Sequence, residues 1–414
     1  MSERSYARGL AAALIAGVLV AWTPRVWAVS VPEAGILLLT LIWSCERLGG
    51  WGVWRRNWLL WPLGLIALWG PLQLAAGATV YGFATRNATL SWATNGLFFW
   101  IALQSLGSSR NRQMFLSILL AFGCGLAVLA ILQNYTAPAK ALWLFQTPGA
   151  TFGPFVYKNQ FAAFLEILTP VAVYRVLANR QRALLYACCA AVMTAAVVAS
   201  ASRAGAALVF TEIAVVLLAG YWRETIAARK FAAISLGTFA LVAIFVAVAG
   251  WESIWIHFQE IKPAQTRVRL LQSTLHMVRD HPVAGVGLGN WRGVYPAYAL
   301  FDDSRLANEA HNDWAQWAAE GGLPFMCFLT AIFAGSVRNS WRCPWGIGTS
   351  AVFLHSMVDY PAREPIIGAL LFAMLGATAA AGTVYAGKVH SGNVNPTYDP
   401  REAAPAAIIR RRAV

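Results

Sequence analysis

Charge is what this sequence has least of. Only 12% of its 414 residues are Asp, Glu, Lys or Arg, about half of the roughly 25% found in a water-soluble domain. Such a chain cannot cover itself with a solvated surface, and a soluble enzyme is excluded. Acids are scarcer than bases, 18 against 32, which leaves a net charge of +14. The bases are scattered between apolar blocks and form no single face, so a nucleic-acid binder is excluded too. Cysteine is sparse. Cys45, Cys124, Cys188, Cys189, Cys327 and Cys343 contain no CxxC pair, and neither a disulfide framework nor a zinc site is expected. No HExxH motif or carboxylate-rich loop marks another metal, so no metal and no cofactor are expected. Internal symmetry is also lacking, which counts against a transporter built from two related halves.

What is present is apolar sequence, 58% of the residues, in blocks such as Met114–Leu132 and Phe231–Ala249. Helices of about 20 such residues cross the roughly 30 Å hydrocarbon layer. Twelve spans are read, near 9–24, 31–45, 58–77, 88–106, 114–133, 159–178, 183–201, 204–222, 231–250, 321–337, 346–361 and 365–386. The expected fold is therefore an all-α integral membrane protein. The first apolar block follows Arg4 and Arg8 like a signal peptide, but the many later spans favour an uncleaved first helix.

The distribution of basic residues tests this map. With the N-terminus in the cytoplasm, 20 of the 32 Lys and Arg fall on cytoplasmic segments, as the positive-inside rule requires. Of the other 12, six (Lys262, Arg267, Arg269, Arg279, Arg292 and Arg305) lie in one outer loop near 251–312. Loops that long translocate largely regardless of charge. The expected organisation is nine spans in 1–250, a large partly helical outer loop at 251–312, three spans in 313–386 and a flexible cytoplasmic tail at 387–414. The loop, about 60 residues, is longer than a connector needs. It reads as a helix over Gln265–Arg279, a Gly-rich turn (His281 to Asn290), a mixed stretch, and a second helix from about Asn308 as N-cap. The GxGxG at Gly285–Gly289 follows no strand and is not a nucleotide site.

Ionisable groups at the outer membrane boundary are costly unless used. Arg203 lies in the small-residue turn Ala199–Gly205 between spans seven and eight. It either meets a bulky anion or snorkels and sets topology. Arg267 and Arg269 open the loop helix with forked donors suited to phosphate oxygens. At i and i+2 they do not share a face, so one of them is expected to point at a site. His311 is the side chain best suited to take a proton near neutral pH; as part of a helix it would share a face with Trp314 and Ala315, with Asn312 and Gln316 stacked beside it. The alternative is a structural histidine at the headgroup boundary. Lys158 and Asn159 open span six. Glu166 and Glu212 lie inside spans, and His355, Asp359 and Arg363 follow span eleven; such groups either carry protons or pair with a neighbouring helix.

These segments together resemble the O-antigen ligase and O-antigen polymerase-like superfamily of integral membrane glycosyltransferases. The resemblance rests on Gly153-Pro-Phe-Val-Tyr-Lys-Asn-Gln-Phe-Ala162, Ser200-Ala-Ser-Arg-Ala-Gly205, Arg267 with His281-Pro-Val-Ala-Gly-Val-Gly-Leu-Gly-Asn-Trp291, and Ala310-His-Asn-Asp-Trp-Ala-Gln-Trp-Ala-Ala-Glu-Gly-Gly-Leu-Pro324. His355-Ser-Met-Val-Asp-Tyr-Pro361 also looks like a family segment. It covers about residues 150–365. It implies a GT-C-like fold in a bacterial inner membrane, both termini cytoplasmic and the active site periplasmic. It further implies metal-independent, inverting transfer of a glycan from undecaprenyl diphosphate to an acceptor hydroxyl, on lipid A-core or another glycan. In that scheme His311 is the catalytic base, Arg203 and Arg267 bind the diphosphate, and Arg269, Lys158, Asn159, Asn312 and Gln316 are further candidates for substrate contact. One departure is Leu271, where family members often carry an aromatic residue; it bears on the choice between Arg267 and Arg269. Donor, acceptor and membrane lipid are the expected partners. A polymerase, a protein O-oligosaccharyltransferase and a non-enzymatic transporter of lipid-linked glycans are the alternatives.

Overall fold

The computed structural model describes residues 1–23, 26–48, 54–147, 149, 151–223, 228–258, 262–301 and 307–390. Arg305 and the tail beyond His390 lie outside the described residues, as do 259–261 and 302–306 of the expected outer loop. Among the described residues the chain is helical almost throughout: α1 Glu3–Val20, α2 Val26–Leu48, α3 Leu60–Ala75, α4 Gly82–Ser105, α5 Ser109–Thr136, α6 Lys158–Ala178, α7 Ala183–Ala199, α8 Arg203–Trp222, α9 Ala228–Phe258, α10 Lys262–Asp280, α11 Trp291–Val294, α12 Asp313–Arg342, α13 Ile347–His355 and α14 Pro365–His390. A short antiparallel ribbon, Lys140–Ala141 with Phe145–Gln146, lies between α5 and α6.

Every expected span carries a helix, but not every helix crosses a membrane by its own length and hydropathy. Among the described residues seven segments are long and apolar enough: Trp27–Arg47, Ser109–Thr136, Lys158–Ala178, Arg180–Ala199, Arg203–Trp222, Asp313–Arg342 and Pro365–Gly382; Leu60–Ala75 and Phe231–Ile244 are shorter apolar helices. This is an all-α membrane protein. The expectation for 346–361 differs most: α13 has nine residues, about 13 Å at helical rise, and the chain then turns through Ser356–Tyr360 into a 3-10 turn at Pro361–Arg363.

Two helices form the centre. α6 and, over Pro365–Gly382, α14 are largely apolar and largely buried, as helices of that composition should be. Lipid tails are as apolar as leucine, so helices in a membrane associate by close packing, which small residues permit. A Cβ on Gly376 of α14 would fall 2.3 Å from the Phe99 carbonyl oxygen of α4, and one on Gly348 of α13 would fall 2.3 Å from the Glu166 carbonyl oxygen of α6. These contacts bring α13 directly against α6, and this places the site described next.

Candidate functional site

The site is assembled around the start of α12. Its N-cap is Asn312, whose side chain accepts from the Ala315 N–H, rather than Asn308. Tertiary contacts select this start. The Asp313 N–H donates to the carbonyls of Ser356 and Asp359, and the Asp313 carboxylate accepts from Ser356 Oγ and the Ala362 N–H. His311 is therefore not on the helix beside Trp314 and Ala315. It precedes the cap in a left-handed conformation, φ +53°.

The Gly-rich turn is the clamp that holds this region. Gly285, Gly287 and Gly289 have φ of +65°, +98° and +74°, the region open to glycine without strain. A Cβ on Gly285 would fall 2.4 Å from the Glu320 backbone. Val286 and Gly287 donate to the carbonyls of Ala319 and Glu320, and Gly289 N–H donates to the Glu320 carboxylate at 2.9 Å. Gln73 of α3 donates to the carbonyls of Ala284 and Glu320 and accepts from the Leu288 N–H. Arg363 closes the clamp by donating to Glu309 and, through both terminal nitrogens, to Glu320. Burial works against the Arg363 charge, but Glu320 and Glu309 outweigh it and hold its pKa above the usual value.

One carboxylate is the meeting point of the site. Asp359, its side chain 1% exposed, lies 2.7 Å from Arg267 Nη2 and 3.5 Å from His311 Nδ1. Tyr157 Oη donates to it at 3.0 and 3.1 Å, Asn159 Nδ2 donates to Oδ2, and the Tyr360 N–H donates to Oδ1 at 2.9 Å. Burial alone would raise the Asp359 carboxyl; the His311 ring, the Arg267 charge and the Tyr360 N–H outweigh it and keep the group below the usual carboxylate range. Burial and the Asp359 charge push the phenols of Tyr157 and Tyr360 up. The two rings stack at 4.8 Å, and His311 meets Tyr360 edge-on at the same separation.

The sequence candidates are placed as follows. Arg267 and His311 come together on Asp359, with Asn159 beside them. Arg267 and His311 are 36% and 30% exposed in their side chains, so both can be reached from outside while Asp359 cannot. Arg269 turns away and lies over the Phe301 ring, 5.6 Å from its centroid, as expected for i and i+2 on a helix. Arg203 is exposed as the first residue of α8, after Ala201 at φ +54° and the cap Ser202. A Cβ on Gly205 would fall 2.6 Å from Ala162 Cβ, so α8 starts against the first turns of α6, at the same end as Lys158 and Asn159. Asn312 donates to the Met357 carbonyl at 2.6 Å. Gln316 is fully buried; it donates to Glu309 and Glu320 and accepts from the Ala310 N–H. Below the site, His355 Nδ1 lies 2.9 Å from Glu166 Oε1 with both side chains fully buried.

Asp359 and Tyr157 were the functional side chains with no assigned role in the sequence reading. A signal existed for Asp359, an acid after an apolar span, but its partners are 92 and 202 residues away, and no spacing rule reaches that far.

An all-α membrane protein with an arginine, a histidine and a buried carboxylate at one end of its helices is thus defined. Residues 188–330 match the family model described as O-antigen ligase. That match supports the O-antigen ligase-like superfamily for this chain. It spans Arg203, Arg267, Arg269, His311, Asn312 and Gln316, while Lys158, Asn159 and Asp359 lie outside it. No curated protein matches the chain.

Proposed function

We propose that the chain transfers a glycan from undecaprenyl diphosphate to an acceptor hydroxyl, on lipid A-core or a related glycan, at the periplasmic face of a bacterial inner membrane. The observation that carries this reading is the convergence of Arg267 and His311 on Asp359, at the end of the bundle where α8 begins with Arg203. A diphosphate is a good leaving group once its charge is neutralised, and fixed cationic donors near a membrane boundary do this strongly. Arg203 and Arg267 fill that role. An acceptor hydroxyl is a weak nucleophile until a base takes its proton, and His311 is that base.

In the proposed step the acceptor oxygen forms a bond to the anomeric carbon while its proton moves to His311. The bond from the anomeric carbon to the diphosphate oxygen breaks, and its electron pair leaves on undecaprenyl diphosphate. A single displacement inverts the anomeric configuration. His311 then loses its proton to water, to which it is open. The apolar faces of the helices hold the polyprenyl chain, so the reacting bond sits at the water boundary.

The test is complementation of a strain lacking the transfer. His311→Ala is expected to abolish acceptor glycosylation, with a loss of about 10²–10⁴-fold typical for removal of a general base, at unchanged protein level in the membrane. Near-wild-type transfer by this variant would remove His311 from the role of base.

A further inference from the structure

Resting on the diphosphate reading above, we propose that Asp359 is a positioning residue that exchanges partners: it holds Arg267 until the donor diphosphate takes that arginine, and then aligns His311.

The geometry that carries this is an imbalance at one carboxylate. Asp359 is crowded with donors. Oδ2 receives Arg267, Asn159 and Tyr157, and Oδ1 receives Tyr157 and the Tyr360 N–H. A carboxylate has about four lone-pair positions, and these five contacts, from four donors since Tyr157 shares its one O–H between both oxygens, fill them. His311 is left out. Its Nδ1 faces Oδ1 at 3.5 Å, yet it is buried and has no hydrogen-bond partner among the described residues. A buried ring nitrogen without a partner is destabilising, and a slight turn of the carboxylate toward it would satisfy it.

What blocks that turn is the strongest of the five contacts, the charge-assisted one from Arg267 at 2.7 Å. The remaining donors, Tyr157, Asn159 and Tyr360 N–H, are neutral. Arg267 is also the exposed partner of the pair, and it reaches Asp359 from α10, whereas Asp359 is buried in the turn that follows α13. A diphosphate carries more negative charge and more oxygens than one carboxylate, so it is the better partner for the same guanidinium. Once Arg267 turns to it, the Asp359 charge keeps its neutral donors Tyr157, Asn159 and the Tyr360 N–H, and His311 Nδ1–H is the neighbour it can newly satisfy. That hydrogen bond fixes the ring with Nε2 free to accept a proton and stabilises the imidazolium that forms. Donor binding thereby prepares the base, and acceptor hydroxyls are not activated until a donor is in place.

The exchange makes an unusual prediction, because Asp359 competes with the diphosphate for Arg267 yet assists His311. The full-length protein in nanodiscs is titrated with undecaprenyl diphosphate, and transfer is measured separately with a lipid-linked glycan. Asp359→Asn is expected to bind undecaprenyl diphosphate about tenfold more tightly while its turnover falls by at least tenfold. Asp359→Ala, which removes the carboxylate without adding a buried amide, is made in parallel and should show the same opposite movement. In an Arg267→Gln background the tightening should vanish, since the contested guanidinium is gone. A residue of merely structural value would weaken binding and turnover together. Unchanged or weaker binding in both Asp359 variants, with the wild type binding normally, would overturn the exchange alone. Failure of the wild type to bind undecaprenyl diphosphate at all would overturn the diphosphate reading and the exchange with it.

Discussion

At the scale of the residue, the distinction between arginine and lysine decides much of the account. Arginine offers a planar fork that meets two oxygens at once, whereas lysine offers a point charge. Arg267 and Arg203 are expected to need the fork. Arg267→Lys and Arg203→Lys should each lower transfer about tenfold or more, equivalent to roughly 1.4 kcal/mol in the barrier, in membranes carrying equal amounts of protein. Full activity of Arg203→Lys would instead make Arg203 a topological arginine, the other reading that its sequence context allows. His311, Arg203 and the Arg267/Arg269 pair stand out as candidates because ionisable groups are few in a sequence so poor in charge. Which loop arginine faces the site was not legible. Helical spacing says that residues 267 and 269 diverge, but the ring of Phe301, over which Arg269 lies, is brought there by folding. Asp359 was visible as a boundary acid and could not be ranked, since its importance comes wholly from what surrounds it.

At the scale of the element, hydropathy located the helices well and their ends poorly. The start of α12 shows why. Asn308 and Asn312 are equally good caps in isolation, and the choice falls to Asn312 because Asp313 fits the turn after α13 through both its backbone and its carboxylate. The Gly-rich turn is a related case. Its pattern lacks the strand that a nucleotide loop needs, and its positive φ values and the Glu320 contact behind Gly285 give it a packing role. The pairing of α13 with α6 through His355 and Glu166 is a buried polar contact of the sort where removal of one partner is costly. His355→Leu is expected to destabilise the purified protein by about 3–5 kcal/mol, seen as a lowered Tm in detergent. The double variant Glu166→Leu/His355→Leu should recover most of that loss, because the Glu166 carboxylate is then not left buried without its histidine. Equal instability of single and double variants would show that the pair contributes packing volume and little else.

At the scale of the whole molecule, composition fixed the class before any motif was considered: a chain with 12% charge and 58% apolar residues belongs in a bilayer. The +14 net charge divides into a topological part, carried by the many bases on the segments read as cytoplasmic, and a small functional part at the opposite face. The family match ends at residue 330, before Asp359. The place of Asp359 in the site therefore had to come from the three-dimensional arrangement.

The central claim is that the chain breaks a glycan–diphosphate bond and makes a new glycosidic one. The direct measurement is reconstitution of the purified protein in proteoliposomes with an undecaprenyl-diphosphate-linked glycan and lipid A-core as acceptor, scoring both products. The account predicts acceptor-linked glycan and free undecaprenyl diphosphate in equal amounts, added as single transfers. Movement of the intact lipid-linked glycan across the bilayer with no bond transfer would contradict it.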